Sequence, residues 1–163
     1  MQGSLSHEWE VRVPSSVVWE TYGTLALSEA VVQLLPGLIE KVEVVEGDGG
    51  VGTVLALTFA QASPAFSCYK EKFVKLDNAN RVKETEVVEG GYLLLGFTKY
   101  LIRLEVIEKE DDAASSIIKS TIEYEIAQGS NADPSTVTTK ALEMMAQTVG
   151  KHLEDKYASS DNA

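Results

Sequence analysis

The stretch VEVVEGDGGVGTVLALTF, Val42 to Phe59, decides how this chain is read. Its centre, Gly47-Asp48-Gly49-Gly50-Val51-Gly52, fits G-x-G-x-x-G, the pattern of a loop that cradles a dinucleotide pyrophosphate. Such a loop needs a strand before it and a helix after it, because the helix N-terminus supplies free N–H groups and a positive dipole end. Ile39 to Glu46 suits the strand. Thr53-Val54-Leu55-Ala56-Leu57-Thr58-Phe59 is β-branched and aromatic, without a cap or helical period, and is predicted as a second strand. Glu46 and Asp48 would also repel phosphate. The glycines therefore predict a hairpin loop, where positive φ and close packing favour residues without a Cβ.

The surroundings agree with a small α+β domain. The chain has 163 residues, of which 44% are hydrophobic and 24% charged, enough for one domain with a sizeable core. The formal net charge of -11 opposes binding to nucleic acid or an anionic membrane surface, which need clustered Lys and Arg. No apolar run approaches the ~20 residues of a membrane span, and MQGSLSHEWEV lacks the regions of a signal peptide. One cysteine, Cys68, permits no internal disulfide, so a reducing, cytoplasmic location is expected.

Before the glycine stretch, Leu5 to Val13 alternates as a half-buried strand ended by Pro14. Ser15-Ser16 then opens a short helix carrying Val17, Val18, Tyr22 and Leu25. A second helix, Leu27 to Leu35, stops at Pro36-Gly37. After the helices come strands at 39–46, 53–60, 68–76, 80–88, 93–108 and 116–126. Turns fall at Gly47 to Gly52, Ala62-Ser63-Pro64, Asp77 to Asn80, Glu89-Gly90-Gly91 and Glu110 to Ala114. In the last strand Ile118, Ser120, Ile122, Tyr124 and Ile126 share one face. Asp133-Pro134 begins a long helix whose stripe is Val137, Ala141, Leu142, Met145, Val149, Leu153 and Tyr157. Residues 158–163 read as a frayed tail, and residues 1–163 as a single domain. The expected architecture is a meander of antiparallel strands curled round the long helix.

Chemistry concentrates on CYKEKFVKL, Cys68 to Leu76. Period two puts Tyr69, Glu71 and Phe73 on one face and Lys70, Lys72 and Val74 on the other. Lysines outward place Glu71 inward beside aromatics, where a carboxylate needs a partner or a raised pKa. Lys83, across the turn at Asp77 to Asn80, is a candidate, near Phe73 and within diagonal reach of Glu71 if the hairpin pairs about its middle. The pattern alone fits a surface ion pair on a sheet edge better. His7 and His152 are isolated, so no metal site is legible. Met144-Met145 suits core filling, or a cavity wall beneath the helix.

EGDGGVGT, YKEKFVKLD, VVEGGYLLLGFTKY and SSIIKSTIEYE together resemble the plant pathogenesis-related class 10, or birch-pollen-allergen, family, and within it the norcoclaurine-synthase-like branch. The resemblance spans about Leu5 to Tyr157. It implies a helix-grip fold: a seven-stranded antiparallel curved sheet wrapped around a long C-terminal helix, with two short helices after the first strand and an internal cavity. It also implies amine–aldehyde condensation of alkaloid-type specialised metabolism, by Pictet–Spengler cyclisation or imine formation without a cofactor, with Tyr69, Glu71 and Lys83 catalytic in a hydrophobic cavity whose wall includes Phe73, Tyr92, Tyr100, Ile102, Leu142 and Met145. The branch carries an Asp, thought to position the amine, where this chain has Ile102 within YLIRLE. A norbelladine-synthase-like branch similarly has an apolar residue there and is linked to condensation that stops at the imine. The implied partners are a small aromatic amine and aldehyde, in a monomer or weak homodimer. The alternative in this fold is a non-catalytic carrier or sensor of a hormone, flavonoid or other hydrophobic ligand in plant defence.

Overall fold

The structure is a computed structural model and describes residues 1–60 and 67–161. The expected turn at Ala62-Ser63-Pro64 lies outside them. Seven strands form one antiparallel sheet: β1 Gln2–Val11, β2 Ile39–Glu46, β3 Val54–Phe59, β4 Cys68–Asp77, β5 Val82–Gly90, β6 Phe97–Lys109 and β7 Asp112–Ile126. Their order across the sheet is β1-β7-β6-β5-β4-β3-β2. Helices α1 Ser15–Tyr22 and α2 Ala26–Leu34 link β1 to β2, the two sheet edges, and α3 Lys140–Asp161 follows β7. The helix α3 packs on β1 and β7, α1 on β6 and β7, and α2 on β2 and α3.

Alternation explains the inner face. Ile118, Ser120, Ile122, Tyr124 and Ile126 of β7 are all buried, as expected. From α3, Leu142, Met145, Ala146, Val149 and Leu153 complete the core. Trp19 on α1 donates from Nε1 to Asn78 Oδ1 at 2.9 Å, tying the β4–β5 turn to the helices.

The glycine stretch is the β2–β3 hairpin loop. Gly47, Gly49 and Gly52 have φ of 88°, 107° and 96°, the left-handed region that side chains avoid. The Gly49 N–H donates to Thr53 Oγ1 at 2.9 Å and the Gly52 N–H to the Phe73 carbonyl at 2.9 Å. Two amides that a phosphate would need are thus bonded to the chain itself. At Gly47 an added Cβ would lie 2.6 Å from Thr53 Cα, a backbone atom that cannot swing aside. Gly47→Ala is expected to lower stability by about 1–3 kcal/mol, read as a fall in the urea midpoint at unchanged slope.

Four expectations are corrected. The strand placed at 93–108 begins only at Phe97, because Gly91–Leu95 forms a 3-10 turn bounded by Gly90, Gly91 and Gly96, all at positive φ. The long helix does not begin at Pro134. The Asp133 side chain caps only the 3-10 turn Pro134–Thr136; β-branched Val137 is then extended, and α3 starts at Lys140. Val137 is still buried, so that end of the stripe reaches the core from outside the helix. Leu25 lies beyond α1, which ends at Tyr22 with Gly23 as its cap. Val13 lies beyond β1, though it is fully buried. The helix α3 runs on to Asp161, with neither proline nor glycine from Ala158 onward to interrupt it.

Candidate active site

The curved sheet, α2 and α3 enclose a cavity of about 530 Å³. All nine residues singled out in the sequence line it: Tyr69, Glu71, Phe73, Lys83, Tyr92, Tyr100, Ile102, Leu142 and Met145. β4 contributes Tyr69, Glu71 and Phe73 by its two-residue period. The inward face of β5 carries Lys83, Thr85 and Val87, all buried, while Glu84 and Glu86 alternate with them. β6 brings Tyr100 and Ile102, and α3 covers them with Leu142 and Met145.

Lys83 is 3% exposed, which removes the surface-ion-pair reading. The β4–β5 register also differs from pairing about the middle of the hairpin. The turn pairs Asp77 with Val82 and so sets Leu76 opposite Lys83, and a bulge at Val74 then sets Phe73 opposite Thr85. The long Lys83 side chain nonetheless reaches back, with Nζ 4.8 Å from the Phe73 ring centroid, a cation–π approach. Among the described residues its ammonium forms no ion pair. Burial lowers its pKa from 10.5 to about 8, with the charge of Glu71 opposing the change.

Glu71 shows the complementary effect. Burial raises its pKa, while Lys83 and a hydrogen bond from Thr85 hold it down. Thr85 Oγ1 donates to Glu71 Oε2 at 3.3 Å. Sequence reasoning missed Thr85, although the signal was present: it lies two residues from Lys83, between the outward-facing Glu84 and Glu86. Burial also raises the Tyr69 phenol well above its ordinary pKa, with the nearby Glu71 charge adding to the effect, so Tyr69 acts as a neutral hydroxyl. Its ring meets Phe59 edge-on, with centroids 5.1 Å apart.

At one side of the cavity Tyr92 and Tyr100 stack with centroids 4.3 Å apart and planes within 8°. Burial raises both phenols. Tyr92 Oη also donates to the Thr136 carbonyl at 3.1 Å, joining the β5–β6 connection to the segment before α3. Ile102 lies between Thr85 on β5 and Ile122 on β7, its cross-strand partners, and is 9% exposed. It gives that wall no polar group. Among the described residues no cluster of three His, Cys, Asp or Glu side chains can hold a metal, and no helix is long and apolar enough to cross a membrane.

A curved antiparallel sheet closed by a long helix, with an acid and an amine facing its cavity, defines a helix-grip cavity protein. The chain belongs to the pathogenesis-related protein Bet v 1 family, whose model matches residues 1–156. Norbelladine synthase of Narcissus pseudonarcissus is 49% identical over 159 residues, covering 98% of this chain and 96% of that one. S-norcoclaurine synthase of Thalictrum flavum subsp. glaucum is 36% identical over 160 residues, 97% of this chain and 74% of the relative. The solved structure of Thalictrum flavum norcoclaurine synthase in complex with dopamine and hydroxybenzaldehyde superimposes with a TM-score of 0.82 at 36% identity, covering 95% of this chain and 88% of that one.

Proposed function

We propose that this protein condenses a small aromatic amine with an aromatic aldehyde and releases the imine. One observation carries the reading: Glu71 and Lys83 face one apolar cavity with their pKa values displaced toward each other. Condensation moves two protons from the amine nitrogen to the carbonyl oxygen, which departs as water. A carboxyl and an amine that share one proton can ferry both, because each is displaced toward the operating pH. Tyr69, as a neutral hydroxyl, orients a carbonyl or phenol oxygen by hydrogen bonding. The apolar walls exclude water, which would otherwise return the imine to its components. The relatives, norbelladine and norcoclaurine synthases, support the same class of chemistry.

Cyclisation beyond the imine needs a further group to position the amine ring and help move its protons. Ile102 occupies the matching wall and can do neither, which favours an imine product.

The test is incubation with tyramine or dopamine and a panel of aldehydes, with borohydride trapping and chiral analysis. Trapped secondary amine above the uncatalysed background is expected. A protein that binds aromatic ligands tightly but gives neither imine nor cyclised product is instead a carrier.

Two further results are expected. kcat/KM, corrected for ionisation of the substrate amine, should be bell-shaped in pH. Its alkaline limb should lie near the Lys83 value of about 8, where the pair loses its shared proton, and its acid limb above the ordinary carboxylate value of 4.5. Glu71→Gln should slow imine formation by about a hundredfold or more and abolish the acid limb. An acid limb that persists unchanged in Glu71→Gln assigns it to another group.

A further inference from the structure

We propose that Lys83 is the covalent carrier of the aldehyde, forming an imine with it before the substrate amine arrives. The inference rests on the condensation reading but adds an intermediate that this reading does not require. Its basis is geometric. The Nζ of Lys83 lies over the Phe73 ring inside the cavity, forms no ion pair among the described residues, and has a carboxyl group on the neighbouring strand. A second lysine, Lys140, also lines the cavity, but it is exposed at the start of α3. The cavity thus offers one sheltered and one solvated amine. An amine nucleophile must be unprotonated, and desolvation in an apolar pocket activates a lysine in this way. With its value near 8, Lys83 has on the order of a hundredfold more free amine at neutral pH than an ordinary lysine.

The steps balance. In the tautomer with the proton on Glu71, the free amine of Lys83 adds to the carbonyl carbon, and an internal proton transfer gives a neutral carbinolamine. Glu71 protonates the hydroxyl, water leaves, and a Lys83 iminium faces the Glu71 carboxylate. The substrate amine adds to the iminium carbon, and Glu71 relays one of its protons to the Lys83 nitrogen. The carbon–Lys83 bond breaks, releasing Lys83 as the free amine and the substrate iminium. Glu71 takes the remaining N–H proton. The sum is aldehyde plus amine giving imine plus water, with Lys83 and Glu71 restored.

The experiment uses the full chain with 4-hydroxybenzaldehyde alone, no amine, at neutral pH. Cyanoborohydride or quenched borohydride reduces any imine, and peptide mass spectrometry locates it. Lys83 is expected to be modified on the order of tenfold faster than Lys140, even though nucleophilicity falls with basicity. Adduct formation is expected to be at least as fast as turnover, and reduction to inactivate the protein in proportion to Lys83 modification. Adducts spread over exposed lysines with Lys83 unmodified overturn the carrier, as does a Lys83 adduct that forms more slowly than kcat. Imine production that persists in either case leaves the condensation reading standing without the carrier. Selective Lys83 trapping in a protein that makes no imine from any amine removes the condensation reading and keeps the covalent site.

Discussion

Lys83→Met is expected to lower kcat by about a thousandfold, within the range for loss of a proton-transfer group, and to raise the melting temperature. Both effects have one cause. In the unfolded chain Lys83 keeps its ordinary value of 10.5, whereas in the folded protein burial sets it at about 8. Between these values the unfolded state binds more protons, so stability rises with pH from about 8 to 10.5 and the full penalty is present below 8. At about 1.4 kcal/mol per pH unit, the difference caps that penalty at about 3.5 kcal/mol.

Methionine fills a similar volume without the charge. Part of the gain is offset because Glu71 loses the cation that holds its pKa down. A net gain of about 1–2 kcal/mol corresponds to a melting point roughly 2–8 °C higher at neutral pH. The gain should shrink as pH approaches 10, because wild-type Lys83 is then neutral in the fold. Calorimetry across pH checks this. A variant that loses stability at neutral pH would show that the ammonium contributes attraction greater than its desolvation penalty, contrary to the burial described above. A variant with wild-type kcat would remove Lys83 from the chemistry altogether.

Ile102→Asp carries the second large expectation. Ile102 faces the cavity between Thr85 and Ile122, so a carboxylate there enters a wall with one hydroxyl and an apolar neighbour. The expected loss of stability is about 2–4 kcal/mol. Lys83 lies on the adjacent strand, opposite Leu104 and so diagonal to position 102, where it limits the loss by offering a charge partner. With dopamine and an aromatic aldehyde, the variant should convert part of the imine to cyclised product, detected by chiral chromatography. Glu71, Lys83 and the new carboxylate would then surround the reacting amine. A wild-type protein that already cyclises dopamine, or a folded variant that gives imine alone, would show that Ile102 does not set where the reaction stops.

Local alternation was enough to identify much of this protein. The β-branched run after Gly52 assigned the glycine stretch to a hairpin rather than a nucleotide loop, and the two-residue periods of β4 and β7 gave their inner faces. Side-chain direction along a strand is a local property of the pleat. The tertiary structure decided the rest. The turn pairs Asp77 with Val82 and so sets Lys83 opposite Leu76, a register that no pattern within β5 encodes, because register belongs to the pair of strands. Sequence pattern alone favoured a surface ion pair for Lys83. It became a buried amine only because α2, α3 and the rest of the sheet close over that face. Extended Val137 and the 3-10 turn after Asp133 delayed α3 to Lys140, although the cap and proline were legible. The cavity and the displaced pKa values of Glu71 and Lys83 arise from the same enclosure. Desolvation is produced by residues distant in sequence, and only their packing sets its strength.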